Sequence, residues 1–452
     1  MIVAALALPL GLAIALSVFD GRRRGTQILA LAGLSATLLL LVAIARVIHT
    51  GTLLETVAGG WPIGIGIRLR VDALGIVFAL VSVSVLLAAL LRECSSGIGW
   101  RAVPAFVTFI AFGMIGLCFT ADAFNFYVFF EVAMTGSIAL AAYSGARREY
   151  RAALVFAVVN MLGSAMFLAA VAGLYHVTGT LDMRLMSEAP AASDRGAVLP
   201  LSAALLVAFS VKLGLFPFHA WVPAVYRDTS PMVAAVLSGA IVNIGSYGLL
   251  RFASTLPAAL DSGGGLLLVL GSLSVIYGSI LALSQPVVVE ILAYSSIAQA
   301  GYILLAIGLG SPVGAAAAVV YAAVNSITKA LLFLTGGLSG RGLGWAFLVG
   351  ALSAAGVPPA AGFFGKASIM RAAALDASAM LLAVVFAGSL LSLGYMASAY
   401  RRRMLESPHW QSAGLGARVA VAALALLIAG AGLWPDPLLR AGEAAAAALV
   451  TR

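Results

Sequence analysis

The chain has 452 residues, of which 62% are hydrophobic and only 10% are charged, and its formal net charge is +9. Because soluble domains are about half apolar and about a quarter charged, this composition excludes a soluble globular enzyme and indicates a polytopic membrane protein. The positive charge does not indicate a nucleic-acid partner, since membrane proteins carry basic loops for topological reasons. Two cysteines without a CxxC spacing and four scattered histidines argue against iron–sulfur, haem, zinc and disulfide frameworks, so we expect no cofactor and no metal.

The predicted elements are about fourteen apolar stretches, each near the roughly 20 residues that a spanning helix needs. They begin near Ile2, Gln27, Ala73, Val103, Ala123, Arg151, Leu199, Ser230, Gly265, Pro286, Pro312, Trp345, Asp376 and Ala417. We interpret the first as a retained helix rather than a signal peptide. Residues 61–71 alternate Ile with Gly or Arg and predict a short extended or hairpin segment, and the longest polar loop is 179–196. The fold class is therefore an all-α polytopic membrane protein.

The arginines predict the orientation of these helices. Most of them, including the clusters at 22–24, 147–151 and 401–403, fall on the odd-numbered loops. Cytoplasmic loops carry an excess of basic residues, so these loops should be cytoplasmic and both termini extracytoplasmic, in a cell or inner membrane. Arginine is expected to mark the surface of this protein.

Two of the stretches look like broken membrane helices. In the seventh, "SVKLGLFPFHAWVP" places Pro217 and Pro223 after a lysine. In the twelfth, "ALSAAGVPPAAGFFGKASIM" carries a Gly and Pro cluster in the middle of the run, at Gly356, Pro358, Pro359 and Gly362. Proline removes a backbone donor, and the carbonyls that it frees must be satisfied inside the protein. Paired interruptions indicate an inverted-repeat transporter, although prolines that merely kink a helix are the alternative.

The three lysines of the chain all lie inside apolar runs, at Lys212, Lys329 and Lys366, and the fifth run contains Glu131. Each intramembrane charge costs about 2.5–3.5 kcal/mol on insertion scales, so these groups need a function or a partner. Lysine releases its proton on burial far more readily than arginine, which favours groups that change protonation. A static buried ion pair between Glu131 and one lysine is the alternative.

Five further polar residues are weaker candidates for a proton relay. His219 follows the break at Pro217 and is either a relay group or a capping histidine, and Glu290 is more typical of a helix-boundary charge. Ser210, Asn243 and Asn325 lie in apolar runs, where polar groups also serve as contacts between helices.

These residues lie within a set of motifs that resembles a known family. The motifs are "FYVFFEVAMTGS", "KLGLFPFHAWVP", "SPMVAAVLSGAIVNIGSYGLLR", "AYSSIAQAGYILLAIGLG", "NSITKALLFLTGG" and "AGVPPAAGFFGK". The chain resembles the antiporter-like membrane subunits of Mrp-type cation/proton antiporters (similar to their D-type component), respiratory complex I and membrane-bound hydrogenases. The resemblance implies two inverted five-helix repeats with discontinuous seventh and twelfth helices. It places N-terminal helices at 1–120, the first repeat at 121–255, the second at 263–403, and a C-terminal helix and tail at 415–452.

The resemblance also implies roles along a central hydrophilic axis. Glu131 and Lys212 correspond to the coupled Glu–Lys pair of the family, and Lys329 and Lys366 correspond to the lysines of its eleventh and twelfth helices. Proton transfer is thereby assigned to these four residues.

Departures from the family pattern concern the centre of that axis. Asn243 stands where the eighth helix usually has a Lys, and Asn325 stands where a His usually precedes the eleventh-helix Lys. An amide does not take up a proton near neutral pH, so the titratable relay is interrupted there.

The sequence thus predicts a proton-translocating subunit of a multisubunit membrane complex, either with or without exchange for Na⁺. Its partners are other membrane subunits, the transported ions and the lipid bilayer. No catalytic chemistry is expected in the chain itself, which is at most the pumping subunit of a redox complex. A scaffold paralogue that does not transport and a stand-alone secondary transporter are the alternatives.

Overall fold

The computed structural model describes residues 1–62, 66–143, 145–189, 195–405 and 411–450. In chain order the first helices are α1 Ile2–Val18, α2 Arg24–His49, α3 Ala73–Ser96, α4 Val103–Phe119, α5 Ala123–Ala141, α6 Arg147–Thr178 and the short α7 Met183–Glu188. The middle helices are α8 Arg195–Leu213, α9 Trp221–Asp228, α10 Pro231–Val236, α11 Asn243–Thr255, α12 Pro257–Ser284, α13 Val288–Gly308 and α14 Pro312–Leu334. The last are α15 Arg341–Ala355, α16 Ala361–Leu375, α17 Ala379–Leu405, α18 Leu415–Leu433 and α19 Asp436–Val450.

The described chain is helical apart from two small pairs of strands. Eleven helical segments are long and apolar enough to cross a membrane, and three shorter apolar helices accompany them. The prediction of an all-α polytopic membrane protein is confirmed. The number fourteen and the two inverted repeats stay predictions.

Burial divides the helices into a central and a peripheral set. The span Pro231–Thr255 is 94% buried, whereas Arg24–His49 at the edge is 28% buried and presents large apolar side chains outward. Since lipid is the solvent for the outer helices, polar groups must collect along the central ones. Lys329 and Asn243 of the site described below lie on those central helices, whereas Lys212 lies on the inward face of a less buried one, Gly196–Leu213.

Short antiparallel strands cover one end of the bundle. Strand β1 Leu54–Val57 pairs with β2 Arg68–Val71. The predicted hairpin segment therefore begins earlier than expected, and its residues 63–65 lie outside the described residues. Strand β2 bridges to Thr120, before α5, and Asp122 bridges to Asp182, before α7. We call this end the hairpin face: β1–β2, the start of α3 and α5, α7 and the end of α11.

The polar loop predicted at 179–196 is partly helical. Helix α7 occupies its first half because Asp182 accepts hydrogen bonds from the backbone N–H groups of Arg184 and Leu185, a typical N-cap. Residues 190–194 lie outside the described residues. The predicted C-terminal tail forms α19, which packs along α14.

Both predicted breaks interrupt their helices. Helix α8 ends at Leu213 and the chain resumes as α9 at Trp221, while α15 ends at Ala355 and α16 begins at Ala361. Gly214 and Gly356 have φ of +66° and +79°, a backbone conformation that glycine adopts without steric cost. Pro223 lies within α9 and not in the break, because a proline fits in the first turn of a helix.

A five-residue π-helical turn, Leu237–Ile241, separates α10 from α11, and the sequence did not predict it. Such turns are frequent at functional sites, and this one ends two residues before Asn243. The turn has no signature in the apolar pattern of the sequence, because an apolar helix looks the same with or without one extra residue per turn.

The expectation that arginine marks only the surface is wrong for Arg68, Arg92 and Arg403, which are 3%, 6% and 5% exposed. Arg92 donates to the carbonyls of Leu334 and Gly336, and Arg403 donates to those of Thr335 and Leu338. The guanidiniums of Arg92 and Arg403 thus satisfy carbonyls at or just beyond the C-terminal end of α14, where no helical partner is available, whereas Arg68 pairs with Asp182. Arginine therefore also holds helix ends together inside this protein.

Candidate functional site

Three buried lysine side chains form the core of the candidate site. Lys212, Lys329 and Lys366 are 3%, 0% and 3% exposed. Each amino group donates one hydrogen bond to a backbone carbonyl and one to a serine hydroxyl. Among the described residues, no carboxylate forms an ion pair with any of the three. The acceptors are uncharged, so the same contacts are available to a protonated or a neutral lysine.

Lys212 lies in the last turn of α8, immediately before the first break. Its Nζ donates to the carbonyl of Asn160 at 3.0 Å and to Oγ of Ser164 at 3.2 Å, both on α6. Nζ also lies 4.2 Å from the centre of the Phe130 ring, a favourable position for a cation. Asn160 and Ser164 are one helical turn apart, so α6 presents both acceptors on one face.

Glu131 is next to Phe130 on α5 and half-buried. Its Oε1 is buried and has no hydrogen-bond partner among the described residues. The carboxylate interacts electrostatically with Lys212, although the two groups form no ion pair. The interpretation of a static Glu131–lysine pair therefore does not hold, and the carboxylate influences Lys212 without binding it.

The backbone of the first break is satisfied by neutral groups. The indole of Trp221 donates to the carbonyl of Val211 at 2.9 Å, and the N–H of Phe216 donates to Oγ of Ser274 at 3.1 Å. His219 lies in the break with Nε2 3.1 Å from the hydroxyl of Tyr277. Ser210 is 1% exposed, and its hydroxyl has no partner in the described part of the chain.

Lys329 lies in α14 and contacts α13. Its Nζ donates to the carbonyl of Leu292 at 3.2 Å and to the hydroxyl of Ser295. A cavity of about 100 Å³ reaches Leu292 from the end of the bundle opposite the hairpin face, lined also by Tyr226 and Arg403. Lys329 is thus one peptide group away from a cavity.

Lys366 provides a hydrogen-bond partner for the backbone at the second break. Its Nζ donates to the carbonyl of Ala355, the last residue of α15, at 2.9 Å and to Oγ of Ser392 at 2.8 Å. Gln299 donates to the neighbouring carbonyl of Ala354 at 3.1 Å. These carbonyls are the negative end of the α15 dipole, which favours a cation. Unlike the carbonyl of Val211 in the first break, that of Ala355 faces a titratable group.

A neutral bridge links α11 to α14 close to Lys329. Oγ of Ser326 donates to Oδ1 of Asn243 at 2.8 Å, and Ser326 is one turn before Lys329 on α14. Asn243 is 1% exposed, and its amide also donates to the carbonyl of Gly239 in the π-helical turn. Asn325 lies beside Ser326 and is 9% exposed. The centre of the site is therefore polar, and this bridge contains no titratable side chain.

Glu290 lies apart from the lysines. It is in the first turn of α13, and its carboxylate is 3.4 Å from the exposed guanidinium of Arg227. Its position is that of a boundary charge.

The sequence reasoning missed the serines that hold the lysines, which are Ser164, Ser295 and Ser392, and the bridging Ser326. A buried serine in an apolar run is a weak signal by itself. Its meaning depends on which helix it faces. No group of three His, Cys, Asp or Glu side chains suited to a metal occurs in the described part of the chain.

Comparison with known proteins shows the family of the chain. The family model described as "NADH:quinone oxidoreductase/Mrp antiporter, TM" matches residues 120–392, a segment that contains all four groups, Glu131, Lys212, Lys329 and Lys366. The matched segment also includes both helix breaks.

Curated relatives and a solved structure extend the similarity. The chain is 34% identical over 309 residues to the D component of a Na(+)/H(+) antiporter of Alkalihalophilus pseudofirmus, covering 64% of this chain and 62% of that protein. It is 29% identical over 381 residues to the N component of an NADH-quinone oxidoreductase of Desulforudis audaxviator, covering 78% and 76%. A chain of the Mrp complex from Dietzia sp. DQ12-45-1b superposes with a TM-score of 0.92 at 26% identity, covering 100% of this chain and 97% of that one.

Proposed function

The chain belongs to the NADH:quinone oxidoreductase/Mrp antiporter membrane family, and from this premise we propose that it moves protons across the membrane as one subunit of a multisubunit complex. The transport is either of protons alone or in exchange for Na⁺. Its similarity to a chain of a solved Mrp complex supports other membrane subunits as its partners. The chain would be an inserted subunit of a cell membrane with both termini extracytoplasmic.

The observation that carries this proposal is the way in which the three lysines are held. A lysine that served only as a structural cation would be expected beside a carboxylate, since an unpaired buried charge is costly. Here each amine binds a carbonyl and a hydroxyl, which accept from the charged and the neutral amine alike. Such a site lets the proton leave without breaking the contacts that position the group.

The three lysines have different surroundings. Lys212 lies over the Phe130 ring and near the Glu131 carboxylate, and Lys366 binds the carbonyl end of α15, two surroundings that suit a cation. Lys329 has neither and binds the carbonyl of Leu292 within α13. We infer that a proton rests on Lys212 or Lys366 and passes Lys329 only transiently.

Ion flux into vesicles that contain the whole complex tests the proposal. Lys212→Ala and Glu131→Ala should each reduce coupled flux strongly, because each removes a group that carries or biases the proton. Glu188→Ala, which removes an exposed carboxylate paired with Arg184, is the matched control and should leave flux unchanged. Wild-type flux in both Lys212→Ala and Glu131→Ala would contradict the mechanism.

A non-transporting scaffold is the second candidate, and the Asn243–Ser326 bridge is the observation that favours it. A neutral bridge where the family has a lysine interrupts titratable transfer between the halves. In Asn243→Lys complexes, unchanged flux would favour the scaffold. If Lys366→Ala abolishes flux in complexes that assemble with the thermal stability of the wild type, the scaffold is excluded, because the amine is then needed for more than holding the helix break.

A further inference from the structure

A polar stripe runs along α11 from the central bridge to the hairpin face. Asn243, Tyr247, Arg251 and Thr255 are spaced four residues apart, so they lie on one face of the helix. From Asn243 to Arg251 the stripe rises by about 12 Å at about 1.5 Å per residue. It begins at the Ser326 bridge, one turn from Lys329, and ends at the hairpin face. The stripe is therefore a line of polar side chains from the centre of the site to one end of the bundle.

The outer half of the stripe is closed by an ion pair. Arg251 donates to both carboxylate oxygens of Asp72, at 2.7 and 2.9 Å, and to the hydroxyl of Tyr247 at 2.9 Å. Tyr247 in turn donates to the carbonyl of Cys118 at 2.9 Å. Asp72 also accepts from the N–H of Gly75, which fixes it at the start of α3. The stripe on α11 thus links α3 and α4.

The inner part of this contact is tightly packed. Tyr247 is fully buried and lies between the rings of Phe78 and Phe126, with centroid distances of 5.5 and 6.1 Å. Outside the ion pair, a cavity of about 60 Å³ opens at the hairpin face, lined by Arg68, Asp72 and Arg251 among others. The ion pair therefore lies between that cavity and the packed interior.

The side chains of the stripe cannot relay protons and therefore form a barrier to proton transfer. Asn243 does not titrate, and Arg251 keeps its charge at every physiological pH. Because the guanidinium does not release a proton, it cannot pass one along the stripe, and its ion pair with Asp72 fills the space between the cavity and Tyr247. The bidentate geometry holds it in place.

We propose that Asp72, Tyr247 and Arg251 form a charge lock that seals the hairpin face of the first half of the protein against proton leak. The lock rests on the proposed function, because a barrier matters only if the interior carries protons. Its role is separate from carrying the proton, since the hydrogen bonds described for these three side chains involve no lysine. Its loss should uncouple transport without abolishing it.

Passive proton leak separates the lock from the relay. Vesicles containing the whole complex are given a pH difference without a Na⁺ gradient, with valinomycin and K⁺ compensating charge, and the decay of the internal pH is followed. Arg251→Gln and Asp72→Asn should raise the leak several-fold. Arg184→Gln, which lines the same cavity but pairs with Glu188, is the control and should leak as the wild type does.

Two further variants keep the test decisive if a single substitution disturbs assembly. Tyr247→Phe keeps the ring packing and removes only the hydroxyl contacts, so it should leak less than Arg251→Gln but more than the wild type. The double variant Asp72→Asn with Arg251→Gln should leak about as much as Arg251→Gln alone, because the two side chains act as one pair. Wild-type leak in assembled Arg251→Gln and Asp72→Asn complexes would overturn the lock. Failure of the relay would appear instead as unchanged coupled flux in Lys212→Ala.

Discussion

Both helix breaks leave backbone carbonyls without helical partners, and the two breaks satisfy these carbonyls with different chemical groups. In the first, the freed carbonyl of Val211 accepts from the neutral indole of Trp221, and Lys212 reaches across to α6 with Glu131 nearby. In the second, the freed carbonyl of Ala355 accepts from Lys366 itself. The first half therefore places a carboxylate, Glu131, near Lys212. The second half places the carbonyl end of α15 against Lys366.

This difference teaches how each half tolerates a buried charge. A carboxylate is itself titratable and supplies a full charge, whereas the end of a helix supplies about half a charge that does not titrate. The second half also contains two buried lysines, Lys329 and Lys366, and none of the described carboxylates pairs with either. We expect it to hold one proton at a time, while the first half can hold a proton together with a negative countercharge.

The largest expected effect comes from exchanging Lys366 for residues that cannot titrate. Lys366→Met and Lys366→Arg should both lower coupled flux by about a hundredfold, the scale on which proton-transfer groups contribute. Arg keeps the charge but does not release the proton. Flux in vesicles of the whole complex measures this, and Arg371→Met, on the exposed side of α16, is the control.

Exchanging Lys212 for Arg as well tests the difference between the two halves, because the thermal stability of the two Arg variants can be compared. Lys212→Arg should leave the thermal stability of the complex almost unchanged because Glu131 offers a partner, whereas Lys366→Arg should lower it. Normal flux in Lys366→Arg would mean that only a fixed cation is needed there. Equal stability of the two Arg variants would mean that the carboxylate does not distinguish the halves.

A smaller effect is expected from removing the serine partners of the lysines. Ser392→Ala and Ser164→Ala each remove one hydrogen bond, worth about 1 kcal/mol or about fivefold in a dependent rate. Ser392→Ala should have the larger effect, since Lys366 lacks a carboxylate that could compensate. Flux at limiting pH gradient measures both.

Ser368→Ala is the matched control for these two variants. Its hydroxyl bonds to the carbonyl of Phe364 within α16, so flux should be unchanged. If Ser164→Ala impairs flux more than Ser392→Ala does, then the countercharge of Glu131 does not support Lys212 in the way proposed.

The sequence was sufficient for the elements and for the main groups of the site, for reasons specific to membranes. Apolar runs must be helical in lipid, so helices predicted to begin near Ala73 and Pro312 do begin there, as α3 and α14. The lysines stand out because a charge in such a run is costly. The breaks are visible because glycine and proline disrupt a helix whatever surrounds it.

What the sequence could not provide are the contacts between helices. Ser164 and Ser392 look like any serine in an apolar run until the neighbouring helix is known. Arg251 and Asp72 are 179 positions apart, and the pairing depends on which helices pack together. The π-helical turn and the burial of Arg92 and Arg403 depend on packing in the same way, so composition alone placed those arginines on the surface.

The smallest expected effect concerns the ion pair between Asp72 and Arg251 at the hairpin face. Burial by itself raises the pKa of the Asp72 carboxyl, but the charge and hydrogen bonds of Arg251 outweigh it, so the pKa lies below its ordinary value. A carboxyl whose pKa is lowered by folding stabilises the folded protein above its unfolded pKa of about 3.9, and this contribution disappears as pH falls through the lower folded value.

Thermal unfolding of the complex from neutral pH down to about pH 3 therefore checks the state of this pair. The wild type should be insensitive between about pH 5 and 8 as far as Asp72 is concerned, and should lose stability only at the acid end. Asp72→Asn should be less stable at neutral pH and lose less on acidification. A loss of the Asp72 contribution already near about pH 6 would mean that the carboxylate is not held by Arg251. In that case helix dipoles rather than a charged partner would stabilise the charge at the hairpin face, as they do at the second break. The difference between the two halves would then be confined to the buried lysines.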